Sequence, residues 1–523
     1  MTWRIYLPLF LIGLVTALAV ACLQSVPGYM DADYYYVGGL QLVNGHGFNE
    51  PFLWNYLDDP AGLPHPSHTY WMPLASIVAA IGMFLTGQLT YAAARLGFIL
   101  IAACIPPLTA ALAYTLTSRQ DLALVSGLLA PFSIYHAPFM SVTDNFGINM
   151  LLGGLLCILL ARSGNLTIFM LGAVAGLLNL ARSDGLLWFG MILFFIFIKL
   201  YEDHDGGPLS VRTFISFARK LMPAVVGYLL VMAPWFWRNL SVFGRLMAPG
   251  GGHLLWLKDY NETFIYPASQ LTFESWLQAG WRAALFARLS ALKWNLLNAF
   301  AAQGGIVLFP FIVLGLWQLR RDIRTRLVVV AWLVLLAVMT LVFPFAGQRG
   351  GFFHAGAAFQ PFWWSVAPLG LDSVIIWTRR RGWFTPQAFR IFRLTMIGLV
   401  FTLTILLVLI RVVVPGWGKD ETHYAQIEQV LLSHDAKPDE IAFVRNPPGY
   451  FIVNGRSTIV VPDGDEHIIL EVANRYHARY LVLEKEGVLL SLKDLYDHPQ
   501  DHPLFRYLGE IHATRIFAIE TQP

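Results

Sequence analysis

The chain has 523 residues, of which 56% are hydrophobic and only 13% charged, with a formal net charge of +3. A soluble domain carries roughly a quarter charged residues, so this composition excludes a soluble enzyme, a disordered scaffold and a disulfide-stapled secreted domain, and the small net charge excludes a nucleic-acid binder. Cys22, Cys104 and Cys157 all lie in apolar runs and show neither disulfide nor metal-ligand spacing.

Apolar runs of about 20 residues match the roughly 30 Å of hydrocarbon in a bilayer. In chain order they fall near 5–25, 91–114, 121–140, 145–161, 165–181, 185–200, 221–240, 298–318, 327–345, 357–378 and 394–414. The composition thus predicts a polytopic α-helical membrane protein with about eleven spans. The first run reads as an uncleaved anchor. Tyr70–Gly87 is borderline in length, contains Pro73 and has no flanking basic residue. With that segment left uncrossed, 16 basic residues fall on one side and 10 on the other, and the clusters Arg320-Arg321-Asp322-Ile323-Arg324-Thr325-Arg326 and Arg379-Arg380-Arg381 both join the larger group. The positive-inside rule makes that side cytoplasmic. Tyr70–Gly87 is therefore a juxtamembrane or re-entrant helix, the N-terminus lies inside, and the C-terminus lies outside. The long outer segments are 26–90 and 241–297, and long outer segments tend to carry function.

The first outer segment holds the densest polar chemistry. Asp31 and Asp33 open an amphipathic helix that ends at Asn44-Gly45, beside Tyr34, Tyr35 and Tyr36. Two carboxylates at a membrane surface suit general-base work on a hydroxyl, with tyrosines to bond or stack on a sugar. The same residues also suit an acidic helix N-terminus flanked by interfacial aromatics. Further on, Asp58, Asp59, His65 and His68 stand among Trp54, Tyr56, Tyr70 and Trp71, as a metal site or as a proline-stiffened loop at the headgroups. Asp144, the Arg182/Asp184 pair, and Arg349 with His354 then mark the outer ends of later spans. Ionisable residues at such depth are costly and point to function. Lying on the Asp31 side, they describe a pocket for an anionic lipid and a polar acceptor.

Residues 419–523 hold 10 basic and 17 acidic residues, against 26 and 16 in residues 1–418. The boundary is Trp417-Gly418, dividing a transmembrane domain (1–417) from an extracytoplasmic domain (418–523). Short β-rich runs at 440–444, 457–462, 479–484 and 515–519, with a helical stretch at 466–476, predict a small α/β domain. Its seven histidines have no ligand spacing and read as solvated.

These motifs resemble the GT-C superfamily of polyprenyl-phosphate-sugar-dependent glycosyltransferases, in its protein O-mannosyltransferase and aminoarabinose-transferase branch. Asp31, Tyr34 and Gly45 match the spacing of the family's first outer loop, although Asp31-Ala32 stands where relatives often have Asp-Glu and Asp33 is displaced by one. His65-Pro66 before Tyr70-Trp71 resembles the element preceding the family's second juxtamembrane helix. Asp144 resembles the second-loop acid, Arg182 an Arg-x-Asp-Gly turn, and Arg349 with His354 a late outer turn. The resemblance covers roughly residues 1–415.

It implies a GT-C-like fold and an integral membrane glycosyltransferase of the cell envelope. Asp31 would be the base, with Asp33 second. Arg182, Arg349 and His354 would bind the donor phosphate, with Asp144, Tyr34, Tyr35 and His65 about the substrates. The donor would be a sugar of mannose type on a polyprenyl phosphate, transferred with inversion to a hydroxyl of a protein, lipid or glycan. The superfamily leaves a divalent metal optional and the branch that the motifs resemble need not use one, so no metal and no other cofactor is expected. Competing readings are a transporter, a receptor with an extracytoplasmic binding domain, and a ligase using a polyprenyl-diphosphate glycan.

Overall fold

The computed structural model describes residues 3–202, 211–383, 385, 387–500 and 502–520. The last residues of the expected C-terminal domain, 521–523, and position 501 within it lie outside the described residues.

A backbone in hydrocarbon must satisfy its own N–H and C=O groups, so long apolar runs become helices. Five described helices are long and apolar enough to cross a membrane: Trp3–Ala21, Tyr91–Thr117, Ala218–Phe243, Ile323–Val342 and Ala388–Val413. Shorter apolar helices, including Gln120–Leu129, Phe146–Leu159 and Asn165–Ala181, pack against them. Small residues set the closest approach. A Cβ on Gly172 would come within 1.9 Å of the Ala224 carbonyl oxygen, and one on Gly227 within 2.1 Å of that of Phe169. This reciprocal contact locks Asn165–Ala181 onto Val211–Phe243, and Arg182 emerges where the shorter helix ends.

The expected span 298–318 is interrupted. A helix covers Gly280–Asn298, a wider turn follows at Ala299–Gln303, and the helix resumes only at Phe309–Gln318. Gly304 and Gly305 break the run, Gly305 with a φ of +56°. All but the last residue of Gly280–Asn298 falls within the segment the sequence reads as the second outer loop. Arg282, Arg288 and Lys293 dilute its hydropathy, while Trp281, Phe286 and Leu289 stay exposed on its surface. The uncrossed segment contains the helix Leu74–Thr86, whose 13 residues span about 20 Å at 1.5 Å per residue.

The Met30–Val43 helix is not amphipathic. Residues Ala32 to Gly39 are all buried. Later parts of the chain cover the face that sequence periodicity leaves to solvent. Its loop returns through a short antiparallel pair, β1 (Asn49–Glu50) with β2 (His65–Pro66).

Residues beyond Gly418 form a five-stranded sheet: β3 (Ile441–Val444), β4 (Thr458–Val460), β5 (Ala478–Glu484), β6 (Phe505–Ile511) and β7 (Thr514–Ile519), in the order β4-β3-β5-β7-β6. The pairs β3–β4 and β3–β5 are parallel, whereas β7 runs antiparallel to β5 and β6. Alternate residues feed two cores: Phe443, Leu481 and Phe517 face one, and Val444, Val482 and Ile516 face the other. The helices Lys419–Ser433, Pro447–Asn454 and Glu466–Tyr476 accompany the strands.

Glu484 closes β5 with one carboxylate oxygen lacking a hydrogen-bond partner. Burial pushes its carboxyl up to about 7, with Arg445 opposing. A carboxyl raised on folding contributes stability that is whole below its unfolded value near 4.5 and is lost as pH rises through about 7. Thermal unfolding of wild type and Glu484→Gln in the full chain should therefore diverge across that window. The wild type should lose more stability than the variant between pH 5 and pH 8.

Candidate functional site

The acidic helix starts at Met30, so Asp31 and Asp33 both lie in its first turn. Two residues at 100° each set them on nearly opposite faces. Asp31 turns to the body of the protein, and Asp33 turns to the C-terminal sheet unit, where Asn446 Nδ2 donates to its Oδ2 at 2.8 Å.

Three groups converge on the Asp31 side. His354 Nε2 lies 3.8 Å from Asp31 Oδ2, and His354 Nδ1 lies 3.8 Å from Asp144 Oδ1. Asp144 is fixed from both sides: Tyr29 Oη donates to Oδ2 at 2.6 Å and the Asn145 backbone N–H donates to Oδ1 at 2.6 Å. Phe146 packs on the His354 ring at 4.0 Å between centroids. Desolvation raises the Asp31 carboxyl first and the Asp144 charge raises it second, while Arg182 opposes. Desolvation, then Arg182, holds His354 well below its ordinary value, so its imidazole is neutral.

Two carboxylates and a neutral imidazole are a divalent-cation donor set. One ligand atom from each lies within 4.8 Å of the others. The two 3.8 Å gaps involve different nitrogens of the His354 ring, of which one cation takes one. A single gap is thus an edge between ligands at about 2.0–2.2 Å from the ion. The donor set fits the divalent metal that the resemblance leaves optional.

Asp31, Tyr35, Arg182, Arg349 and His354 line one cavity of about 510 Å³, with Trp54 on its wall. Arg182 is held by Asp184, with Nη2 at 2.8 Å from Oδ2 and Nε at 3.2 Å from Oδ1. Arg349 lies over the Tyr260 ring at 4.8 Å, in a turn whose next residue, Gly350, has a φ of +121°. Trp54 and Trp71 stack at 3.9 Å. A second cavity of about 510 Å³ shares Arg349 and Gly350 and is walled by Leu297, Phe353, Leu407 and Arg411.

Four of the nine residues expected at the catalytic and substrate site do not line the first cavity. Asp144 lies behind the wall formed by Asp31 and His354. Asp33 faces Asn446. Tyr34 is buried, accepts from the His68 N–H at 2.7 Å and packs on Trp71 at 4.8 Å. His65 pairs with Asp58 at 2.7 Å.

Tyr29, Asn145 and Tyr260 were not singled out in the sequence. Only the adjacency of Asn145 to Asp144 offered a local signal. Glu50 is also buried here, and burial raises its carboxyl, with the Tyr34 hydroxyl opposing; nothing local distinguishes it.

No family model and no curated protein sequence matches the chain. Solved structures do. The oligosaccharyltransferase AglB from Archaeoglobus fulgidus, in complex with an inhibitory peptide and a dolichol-phosphate, is 12% identical with a TM-score of 0.56, over 100% of this chain and 75% of that one. An Archaeoglobus fulgidus oligosaccharyltransferase in complex with Zn and sulfate gives 13% and 0.53, over 97% and 73%. ArnT from Cupriavidus metallidurans in the apo state gives 13% and 0.52, over 96% and 97%. At these identities the likeness establishes the fold alone, which this chain shares with AglB and ArnT.

Proposed function

We propose that this chain, built on the GT-C fold, is a membrane glycosyltransferase that moves a sugar from a polyprenyl-phosphate donor to an acceptor hydroxyl. The observation that carries the reading is the single cavity in which Asp31 meets Arg182 and Arg349. The AglB complex contains a dolichol-phosphate, which supports the donor class.

Arg182 and Arg349 receive the donor phosphate through charge-assisted hydrogen bonds and stabilise the charge that builds as it leaves. Asp31 takes the proton of the acceptor hydroxyl, whose oxygen attacks the anomeric carbon in line. The bond from that carbon to the phosphate oxygen breaks, polyprenyl phosphate departs, and configuration inverts. With no cation bound, burial holds the Asp31 carboxyl above its ordinary range, nearer the pH at which a base works best; a cation held by Asp31 would bring it down. Asp33, facing Asn446, is not assigned the base. Asp31, Asp144 and His354 would hold a divalent cation, which when bound supplies positive charge for the donor phosphate. Neutral His354 acts as a ligand in this assignment, leaving anion binding to the arginines. Leu297, Phe353 and Leu407 of the second cavity suit an isoprenoid chain, with Arg349 at its head. We take the site to be extracytoplasmic, with the sugar of mannose type and the acceptor a protein, lipid or glycan.

The test is purified full-length protein in liposomes, offered defined polyprenyl-phosphate sugars, with a polyprenyl-diphosphate glycan and free radiolabelled sugar as parallel arms. Consumption of a monophosphate donor supports the reading. Consumption of the diphosphate alone makes the protein a ligase, and sugar uptake without donor consumption makes it a transporter. Titration with Mn²⁺ should give heat in the wild type and markedly weaker binding in His354→Ala.

A further inference from the structure

The C-terminal sheet unit grips the segment that carries Asp31. The edge strand β4 is extended by Leu53, which bridges Ile459 in parallel; Leu53 N donates to the Thr458 carbonyl at 3.0 Å and Val460 N to the Leu53 carbonyl at 2.8 Å. The Tyr56 hydroxyl donates to the Val460 carbonyl. From the Glu466–Tyr476 helix, the Tyr476 hydroxyl donates to the Pro60 carbonyl at 2.8 Å and Arg475 pairs with Asp59 at 2.8 Å. An open sheet edge thus becomes a bonded seam with the first loop.

One contact reaches further, to the acidic helix itself. Asn446 is the N-cap of Pro447–Asn454, its Oδ1 accepting from the Gly449 N–H at 3.3 Å. Its Nδ2 donates to Asp33, which is 2% exposed. A Cβ on Gly449 would come within 2.4 Å of Asn446 Nδ2 and 2.9 Å of Asp33 Oδ2, so a larger residue there would displace this bonded pair. On the opposite side, the Thr143 hydroxyl donates to the Ala32 carbonyl at 2.7 Å, beside the bond from Tyr29 to Asp144. The first turn of the acidic helix is therefore held between the body, through Thr143 and Asp144, and the C-terminal unit, through Asn446.

We propose that the C-terminal unit is a clamp on the catalytic helix and that Asn446 is a positioning residue, which holds Asp33 and thereby sets Asp31 against Asp144 and His354. The clamp stands on geometry alone; its effect on turnover rests on the glycosyltransferase reading. Asn446 acts as both cap and donor, and substitution separates the two roles. Asn446→Ser keeps a helix cap and loses the donor to Asp33. Asn446→Asp also keeps a cap but removes the amide donor and sets a second carboxyl against Asp33, whose own carboxyl burial already raises. Adding Asp33→Asn to Asn446→Asp reverses the pair, so that the new amide donates to the new carboxylate.

The experiment uses the full chain in detergent and reads hydrogen–deuterium exchange over residues 30–36 alongside donor turnover. Asn446→Asp should speed exchange there and lower kcat by about tenfold or more at little change in donor KM, with Asn446→Ser intermediate. The reversed pair should restore slow exchange and most of the kcat, a recovery that a merely structural role for Asn446 would not produce. Wild-type exchange in Asn446→Asp, or no recovery in the reversed pair, overturns the clamp. If the wild type consumes no polyprenyl-phosphate sugar, the functional reading fails, and exchange alone decides the clamp.

Discussion

Asp31→Asn is expected to lower kcat/KM for the polyprenyl-phosphate donor by about 10²–10⁴-fold, the range that a positioned general base contributes. Asparagine has the shape of aspartate and cannot accept the acceptor's proton at neutral pH. The fold should be kept, because Asp31 raises the energy of its surroundings: it lies beside the Asp144 charge and is held above its ordinary range by desolvation. Removing one of two adjacent negative charges relieves that repulsion. Asp33→Asn is the control. Its side chain faces Asn446 rather than the cavity, so its effect should be smaller by at least about tenfold and should run through helix position rather than proton transfer. Donor consumption by the two variants, at matched unfolding temperatures, gives the comparison. Retained turnover in Asp31→Asn would place the base elsewhere.

Arg456→Met should cost the C-terminal unit about 3–5 kcal/mol, the penalty for breaking a buried ion pair from one side. The Arg456 side chain is 1% exposed and pairs with Glu428 at 2.6 Å. Its Nη1 also donates to the carbonyls of Lys437 at 2.6 Å and Glu440 at 2.7 Å. Methionine fills part of the volume and leaves the Glu428 charge with the Tyr450 hydroxyl, at 2.9 Å, as its remaining hydrogen-bond donor. Adding Glu428→Gln should recover part of the loss, since an unpaired neutral amide costs less to bury than an unpaired charge. Protease resistance of the C-terminal unit in the full chain, followed with temperature, measures both. An unchanged profile in Arg456→Met would show that the pair adds no net stability. Because this unit also bonds to Leu53, Tyr56 and Pro60, its loosening should lower turnover without any change at the reacting groups.

Local properties of the sequence carry the helices and much of the sheet. Burial in hydrocarbon and 1.5 Å of rise per residue are conditions that each segment meets or fails alone, so Trp3–Ala21, Tyr91–Thr117 and Ala388–Val413 follow from the apolar runs at 5–25, 91–114 and 394–414. Strands β3, β4, β5 and β7 fall on β-rich runs, because β propensity and period-2 alternation are likewise local. Strand β6, Phe505–Ile511, has no such run: its burial pattern does not alternate, and pairing with β7 makes it a strand. The Gly280–Asn298 helix escaped because its charges, which hydropathy penalises, lie along an exposed surface.

The site divides in the same way. That Asp31, Asp144, Arg182 and Arg349 are candidates could be read locally, because a charge beside an apolar run is costly and therefore informative. That Asp31 and Asp33 point apart follows from helix geometry. Which of them meets the cavity depends on what packs against each face, and no local property of the helix supplies that. The convergence of Asp31, Asp144 and His354 into one donor set spans more than 300 residues of chain, and the bond from Asn446 to Asp33 spans 413. Charge scarcity told where ionisable groups would have to be useful; only the packing of distant segments decided which of them touch, because contact between residues so far apart is set by how whole helices and sheets fit together.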